Sequence, residues 1–375
     1  METTRYRLKD ILKIKNGRDH SQLEDGQYPV IGSGGVMRYA NQYLYNGESV
    51  LLPRKGTLDN IQYINGFFWT VDTCYYTEID TKIVNPYYLY RHLRSLDLSG
   101  LDSGASIPSM TSKCYYGIKI DLPNFDTQKR IADILSAYDE LIENNNRRIA
   151  LLEKAAQDLY KEWFVRFRFP GYEATKFGNG LPEGWNVKKL ADYGRVETGK
   201  TPSTEVTENY GKDIMFVKTP DMHGNMFTIQ TGEYLSQQGH KCQPKKLLPA
   251  NSIMVSCIGT GGVVSINAEP AHTNQQINSI ILDNPLFLEW LFFTCKSLKE
   301  TIELFGATGA TMTNLSKGKF EKLKVIEPTQ DLVLQFHDKV NPFFDEIKSL
   351  MCQNQNLAKQ RDLLLPRLMS GKLEV

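Results

Sequence analysis

Hydrophobic residues recur at alternating steps of four and three between Ile131 and Trp163. This heptad pattern is typical of a coiled-coil helix, and it is longer than most helices of globular proteins. No proline falls between Pro123 and Pro170 to interrupt it. The pattern therefore predicts one long helix that needs a partner along its apolar edge. Its seam positions are Ile131, Leu135, Tyr138, Ile142, Asn145, Ile149, Leu152, Ala156, Leu159 and Trp163.

The same pattern returns 205 residues later, in the same heptad phase. Its positions are Phe336, Val340, Phe343, Ile347, Leu350, Asn354, Leu357, Arg361, Leu364 and Leu368. Pro342 lies inside this second pattern, where it either kinks the helix or starts it afresh with Asn341 as the cap. The chain thus supplies the partner that the first helix needs.

Each heptad stretch follows a segment of mixed helix and strand patterns, and the two segments share short motifs in the same order. Asn85-Pro86 matches Asn284-Pro285, and the Ile118–Pro123 strand pattern matches Leu323–Pro328. The loop Ser103-Gly-Ala-Ser matches Thr308-Gly-Ala-Thr. A period near 200 residues is too long for a solenoid and indicates a duplicated domain-plus-helix module.

The predicted fold is therefore two copies of an α/β (α+β) domain joined by two long antiparallel helices, with a pseudo-two-fold internal repeat. The expected boundaries are a first domain at residues 1–125, a first helix at 126–166, a linker at 167–184, a second domain at 185–329 and a second helix at 330–370.

Two-fold packing of the repeated helices gives a hypothetical register in which paired residue numbers sum to 499. It pairs Trp163 with Phe336 and places Asn145 opposite Asn354, where a buried amide pair sacrifices stability but fixes the register. Arg361 then lies beside Tyr138. Additional apolar positions on the first helix, which are Ile134, Leu141, Ala155 and Tyr160, are expected to pack on the domains or on a partner protein.

Composition narrows the class of protein. The chain has 375 residues, of which 41% are hydrophobic and 23% charged, with a net charge of +1. It can bury ordinary cores but carries no general basic coat for nucleic acid. The six cysteines form no C-x-x-C pair, and the N-terminus lacks a signal-peptide pattern, so reduced thiols in the cytoplasm are expected.

Two motifs resemble catalytic or cofactor sites, but their contexts argue against them. Gly194–Thr201 matches the phosphate-binding pattern G-x-x-x-x-G-K-[ST], yet Pro202 and the polar residues after it do not form a helix pattern. Asn85-Pro-Tyr-Tyr88 is one letter from an adenine-holding motif of amino-methyltransferases, and helix capping explains it better. The six histidines show no metal-ligand spacing. No catalytic residue and no metal are predicted.

Basic residues cluster beside glycine loops, where the backbone can come close to a nucleic acid and a long cation can reach it. Part of this charge is expected to be ordinary solvated surface. The candidate DNA-binding residues are Arg54, Lys55, Thr57, Lys113, Lys200, Thr201, Lys218, Lys317 and Lys319.

The chain resembles the specificity subunit of type I restriction–modification systems over essentially its whole length. The matching features are the Leu190–Thr201 segment, Ile258–Val263, Asn274-Gln-Gln-Ile-Asn278 and Arg361–Gly371. The family usually has a Glu-Gln pair before each helix, and this chain keeps only the glutamine in both places, at Gln128 and Gln335.

The resemblance implies a non-catalytic subunit that binds double-stranded DNA. Each domain would read one half of a bipartite target, and the helices, roughly 50 Å long at 1.5 Å per residue, would set the spacing. Two modification (methyltransferase) subunits would dock on the chain and bring S-adenosylmethionine, and translocating restriction subunits would join them. The chain itself would hold no cofactor. The alternatives are a self-contained adenine methyltransferase or nuclease and a coiled-coil adaptor that does not touch DNA.

Overall fold

A computed structural model of the chain describes residues 2–56, 58–98, 109–306 and 313–375. The chain forms two compact units, the first from residues 1–143 and 355–375 and the second from residues 144–354. The predicted site residue Thr57 and the two matching loops that begin at Ser103 and Thr308 lie outside the described residues.

The first unit contains the first repeat, defined as residues 4–122. Its main sheet has six strands in the order β2-β7-β5-β6-β3-β4, and β1 pairs with β8 in a separate antiparallel ribbon. The strands are β1 Thr4–Arg7, β2 Leu12–Asn16, β3 Asp25–Gly32, β4 Gly35–Ala40, β5 Tyr45–Pro53, β6 Gln62–Thr70, β7 Cys74–Ile79 and β8 Lys119–Leu122. The helices are α1 Leu8–Ile11, α2 Pro86–Arg94 and α3 Ser112–Gly117.

The long helix α4, Phe125–Tyr160, follows the first repeat and continues as a π-helical turn at Lys161–Val165. The connection to the second repeat contains a small hairpin of β9, Phe177–Gly178, and β10, Leu181–Pro182. Aromatic rings from the two ends of this connection pack against each other. The ring of Trp185 lies 5.3 Å from that of Phe167 and 5.5 Å from that of Phe169. The segment predicted as a linker therefore has defined structure.

The second unit contains the second repeat, defined as residues 186–327. Its strands form a five-stranded sheet in the order β12-β20-β16-β18-β14, a three-stranded sheet β15-β13-β19 and the ribbons β11-β22 and β17-β21. The strands are β11 Asn186–Lys189, β12 Gly194–Thr198, β13 Tyr210–Val217, β14 Phe227–Thr228, β15 Glu233–Leu235, β16 Ile253–Ser256, β17 Ile258–Gly259, β18 Val264–Asn267, β19 Ala271–Thr273, β20 Ile277–Leu282, β21 Thr313–Asn314 and β22 Lys324–Glu327. The helices are α5 Thr219–Met222, α6 Gln237–Lys241, α7 Leu288–Ser297, α8 Lys299–Gly306 and α9 Lys317–Glu321, followed by the long α10, Gln330–Met369.

The two repeats share backbone hydrogen bonds at equivalent places, as a duplication requires. The amide of Leu8 donates to the carbonyl of Ile118 at 3.0 Å, and the amide of Leu190 donates to that of Leu323 at the same distance. Each of these bonds lies beside the antiparallel ribbon that links the start of a repeat to its end. The internal duplication predicted from the sequence is confirmed.

Local backbone structure tests the two motifs that resemble catalytic or cofactor sites. The Asn85 side chain accepts from the amide of Tyr88 at 2.9 Å, and the Asn284 side chain accepts from that of Leu286 at 3.1 Å. Both asparagines are therefore helix caps. The phosphate-loop letters occupy β12 and an irregular turn, and the next helical turn begins only at Thr207. The strand–loop–helix geometry of a phosphate cradle is not formed there.

Helix α10 runs without interruption through Pro342 and Pro366, so the expectation that Pro342 could start the helix afresh is wrong. Proline removes one backbone donor from a helix interior and crowds the preceding turn. Here Val340, Phe344 and Ile347 are fully buried on either side of Pro342, and this packing maintains the helix. The Asn341 side chain contacts Asp345 at 3.1 Å and does not act as a cap.

The antiparallel register agrees with the hypothesis at two of the predicted pairs. The Asn145 amide nitrogen donates to the side-chain oxygen of Asn354 at 2.9 Å. The rings of Trp163 and Phe336 lie 5.8 Å apart. Asn354 also donates to Asn146 at 2.8 Å, so the amide nitrogen of each asparagine in the pair has an acceptor.

Each unit contains the beginning of one long helix and the end of the other. In the first unit, Ile131 and Leu135 of α4 and Leu368 of α10 belong to the buried core beneath the first repeat. In the second unit, Tyr160 and Phe336 belong to the core beneath the second repeat. Every predicted seam residue is buried or half-buried.

The first repeat is attached to the helices by charged and polar groups. Asp139 of α4 binds the buried Arg91 guanidinium and the Tyr87 hydroxyl of α2. Its other oxygen accepts from Arg361 of α10 at 2.5 Å, one residue beyond the predicted Tyr138 contact. Gln128, buried at the start of α4, accepts from the amide of Asn85 at 3.0 Å. These bonds tie α2, α4 and α10 together within the first unit.

The additional apolar positions of α4 separate into two groups. Tyr160 is buried, with its hydroxyl 3.1 Å from that of Thr294, which confirms that it packs on the domain. Leu141 remains 51% exposed, Ile134 is exposed to a smaller extent and Ala155 is also on the surface.

Among the described helices, none is long and apolar enough to cross a membrane. The six cysteines are free thiols.

The paired asparagines give a test of the register. Replacement of Asn354 by alanine leaves the buried Asn145 amide without its acceptor, and replacement of Asn145 removes the donor to the half-buried Asn354 oxygen, so each single change should destabilise the chain by about 1–3 kcal/mol. The double variant should lose less than the sum of the two, with a coupling of about 1 kcal/mol. Urea unfolding followed by circular dichroism measures these values.

Asn356→Ala, at an exposed position of α10, is the matched control and should change stability by less than about 0.5 kcal/mol. Strictly additive effects of the two seam substitutions would contradict the direct pairing.

Candidate nucleic-acid interface

A glycine turn at the end of β12 brings two candidate residues of the second repeat against β19 and the segment that follows it. The amide of Lys200 donates to the carbonyl of Thr273 at 2.9 Å, and the Thr201 hydroxyl donates to the side chain of Gln275 at 2.6 Å. A Cβ atom on Gly199 would lie 2.2 Å from the carbonyl oxygen of Asn274. Only glycine allows this approach, and the turn therefore places Lys200 beside residues 273–276.

The same segment, residues 273–276, also holds the end of β13. The amide of Asn274 donates to the carbonyl of Val217 at 3.1 Å, directly before Lys218. The Thr219 hydroxyl lies 3.4 Å from the side-chain oxygen of Gln276. Lys218 thus extends from a strand end that is bonded to the same segment as Lys200.

A third connection leads to the remaining candidates. The amide of Cys257 donates to the carbonyl of Gln276 at 2.7 Å, and Leu315 donates to the carbonyl of Cys257 at 2.9 Å. Helix α9 begins two residues after Leu315 and carries Lys317 and Lys319. The five candidates of the second repeat therefore follow turns or strand ends that hydrogen bonds link to residues 273–276.

The first repeat contains the same arrangement. The amide of Arg18 donates to the carbonyl of Thr70 at 2.8 Å, as Lys200 does to Thr273. The amide of Arg54 donates to the carbonyl of Thr73 at 2.8 Å, and Met110 donates to the carbonyl of Arg54 at 3.0 Å. A Cβ on Gly17 would lie 2.0 Å from the carbonyl oxygen of Val71. We call these recurring backbone hydrogen bonds, which surround residues 70–73 in the first repeat and 273–276 in the second, the duplicated frame, and the glycine turn is part of it.

The candidate side chains differ in their surroundings. Lys55, Lys113, Lys200 and Lys319 are exposed, and Arg54 is half-buried with its guanidinium 5.9 Å from the Tyr75 ring centroid. Other candidates are engaged in ion pairs: Lys218 contacts Glu233, and Lys317 lies 3.6 Å from Glu321. The four exposed lysines can bind an external anion directly. Lys218 and Lys317 would first have to release their carboxylate partners.

Sequence reasoning missed several members of this frame. Arg18 occupies the place of Lys200 in the first repeat, and the alignment of the two repeats could have identified it. Gln275 and Gln276 were noted only as part of a family motif, although their side chains bond Thr201 and approach Thr219. Long-range contacts of this kind leave no periodic signal in a sequence.

Two titratable groups near the frame, the Cys257 thiol and the His272 imidazole, are neutral at physiological pH. Burial raises the pKa of the Cys257 thiol to about 11, which leaves it a poor nucleophile. Burial, together with the neighbouring His240, lowers the pKa of His272 to about 4. In the described parts of the chain, no group of three or more His, Cys, Asp or Glu side chains is placed to hold a metal ion. The arrangement is suited to binding through hydrogen bonds and lysine charge.

Comparisons with known proteins agree on one family. A family model described as type I restriction modification DNA specificity domain matches the chain twice, at residues 2–154 and 182–336. The HindI type I restriction enzyme specificity subunit of Haemophilus influenzae is 31% identical, over 79% of this chain and 79% of its own. The MjaIX specificity subunit of Methanocaldococcus jannaschii is 28% identical, over 77% of this chain and 68% of its own.

A solved structure shows the same fold. It is the type I restriction–modification S subunit from M. genitalium, with a TM-score of 0.64 and 14% sequence identity. The match covers 98% of this chain and 96% of that one. Both repeats and both long helices therefore lie within the shared architecture.

The close approach at Gly199 gives a test of the frame. Gly199→Ala forces a methyl group into the Asn274 carbonyl and should lower the free energy of unfolding by about 1–3 kcal/mol. Gly318→Ala is the control, because its Cβ would meet open space within α9 and should raise stability by up to about 1 kcal/mol. Thermal unfolding compares the two, and equal stability of both variants would show that the turn is not constrained.

Proposed function

Because the chain belongs to the type I restriction–modification DNA specificity family, we propose that each of its repeats reads one half of a bipartite double-stranded DNA target. The observation that carries this proposal is the duplicated frame. The same backbone bonds recur in both repeats, while the side chains that the frame presents differ, as Arg18 and Lys200 do. A shared scaffold with different side chains suits a target whose two halves differ in sequence.

The lysines and arginines around the frame would contact phosphates, and neighbouring amide and hydroxyl groups would contact base edges. Phosphate contacts position a protein on the duplex, and base contacts specify the sequence. The candidates proposed for phosphate contacts are the exposed lysines Lys55 and Lys113 in the first repeat and Lys200 and Lys319 in the second. Arg54, Thr57, Thr201, Lys218 and Lys317 complete the proposed set.

The long helices would hold the two repeats at a set separation and receive the partner subunits. In the first unit the exposed side chains of Ile134 and Leu141 lie on one flank of α4, and Leu363 of α10 is 62% exposed. These apolar groups favour a protein surface as their partner. Two modification subunits would dock there and supply S-adenosylmethionine, restriction subunits would join them, and the chain itself would carry no catalytic residue.

Salt dependence tests the DNA interface. Lys200→Ala and Lys319→Ala should each weaken binding of the full chain to any duplex and reduce the slope of log K against log salt by about one. Lys339→Ala, an exposed lysine of α10, is the matched control and should leave both unchanged. Fluorescence anisotropy with labelled duplexes at several salt concentrations measures both the affinity and the slope. Binding that is insensitive to salt, or equal loss in the control, would contradict the assignment.

A further inference from the structure

The hairpin next to the duplicated frame has the same irregularity in both repeats. In the second repeat, β13 shifts register between Tyr210 and Ile214, and both of these residues pair with Leu235 of β15. In the first repeat, β3 shifts between Asp25 and Tyr28, and both pair with Ala40 of β4. Each shift leaves a short bulge outside the ladder. Such bulges bend a strand and redirect its side chains, and they are frequent beside functional sites.

The surfaces that the two bulged hairpins present are different. In the second repeat the bulge borders an open groove of about 840 Å³. Its lining includes Tyr210, Gly211, Lys212, Gly232, Glu233 and Tyr234. In the first repeat the hairpin borders a cluster of aromatic rings instead, with Tyr43 and Phe67 4.7 Å apart and 47% and 44% exposed. An equivalent element therefore has different chemistry in the two repeats.

The groove is joined to the proposed DNA-binding frame. The Tyr210 hydroxyl donates to the carbonyl of Pro202 at 3.0 Å, immediately after Lys200 and Thr201. The opposite strand contributes Glu233, which contacts Lys218. DNA that lies on the frame would consequently also reach the hairpin.

The groove offers groups that can distinguish bases. Lys212 lies in the bulge and is exposed. The Tyr210 hydroxyl already donates to Pro202, whereas the Tyr234 hydroxyl accepts from the amide of Thr231 at 3.4 Å and keeps its own proton to donate. Gly211 and Gly232 leave the wall without bulky side chains. The carboxylate of Glu233 would repel a phosphate, but it can accept a hydrogen bond from a cytosine amino group. These features favour base edges over the phosphodiester backbone as the occupant.

We propose that the bulged hairpin of the second repeat enters the major groove and reads base edges of one half of the target, with Lys212 and Tyr234 as specificity-determining residues. The major groove has the width to admit a two-stranded β-ribbon. This inference rests on the proposed function and assigns the reading of one half target to a defined element. The equivalent hairpin of the first repeat would read the other half through its own side chains.

Selection of bound duplexes from a randomised library tests the assignment with the full chain. The unaltered chain should enrich two short motifs at a fixed separation. Lys212→Met keeps the aliphatic length but removes the charge, and Tyr234→Phe removes only the hydroxyl. Each should reduce discrimination by about tenfold at one or more positions of one motif and leave the other motif intact. Lys339→Met on α10 is the matched control and should enrich both motifs unaltered.

The possible outcomes separate the inference from the function on which it rests. If both variants enrich the same two motifs as the unaltered chain, the hairpin does not read bases, while the proposed function stands. If Lys212→Met weakens all duplexes equally and lowers the salt slope, Lys212 contacts a phosphate and the inference is wrong. If the unaltered chain enriches no motif, the proposed function itself fails.

Discussion

The antiparallel seam between α4 and α10 is the constraint on which the rest of the structure depends. A heptad pattern alone permits several registers, because one apolar edge slides along another with little change in buried area. The Asn145–Asn354 pair removes this freedom, since a shift by one heptad would separate the two amides and set one of them against an aliphatic side chain, either Asn145 against Ile347 or Asn354 against Leu152. Once the register is set, the beginning of each helix lies beside the end of the other within a unit.

The repeats differ in how they use this helix pair. Beneath the first repeat, Asp139 joins Arg91 and Arg361, so charged hydrogen bonds attach the domain to the helices. Beneath the second repeat, Phe344 packs against Phe292 and Phe293 with ring centroids 5.6 and 5.9 Å apart. A partly buried ion network demands precise geometry, whereas aromatic packing depends chiefly on buried area. The two copies of the duplicated fold therefore contact the long helices through different interactions, just as they carry different side chains around the glycine turn.

Much of this architecture could be predicted from the sequence, for reasons that particular residues illustrate. The seam and its register follow from periodicity and from two polar residues in an apolar row, and the capping roles of Asn85 and Asn284 follow from local chemistry. The course of α10 through Pro342 did not follow, because the packing that maintains the helix comes from distant elements. The bulge at residues 211–213 was missed for the same reason. Its partner Leu235 lies more than twenty positions away, and no local motif marks it.

The most direct test lengthens the helix pair. Three heptads inserted after Arg147, with three more after Cys352, extend both helices in matching register by about 32 Å, which is close to one turn of B-DNA. The two motifs selected by this variant should be those of the unaltered chain, separated by roughly ten additional base pairs. An unchanged separation, from a variant that folds with the added helix content, would contradict a role of the helices in setting the distance between the half targets.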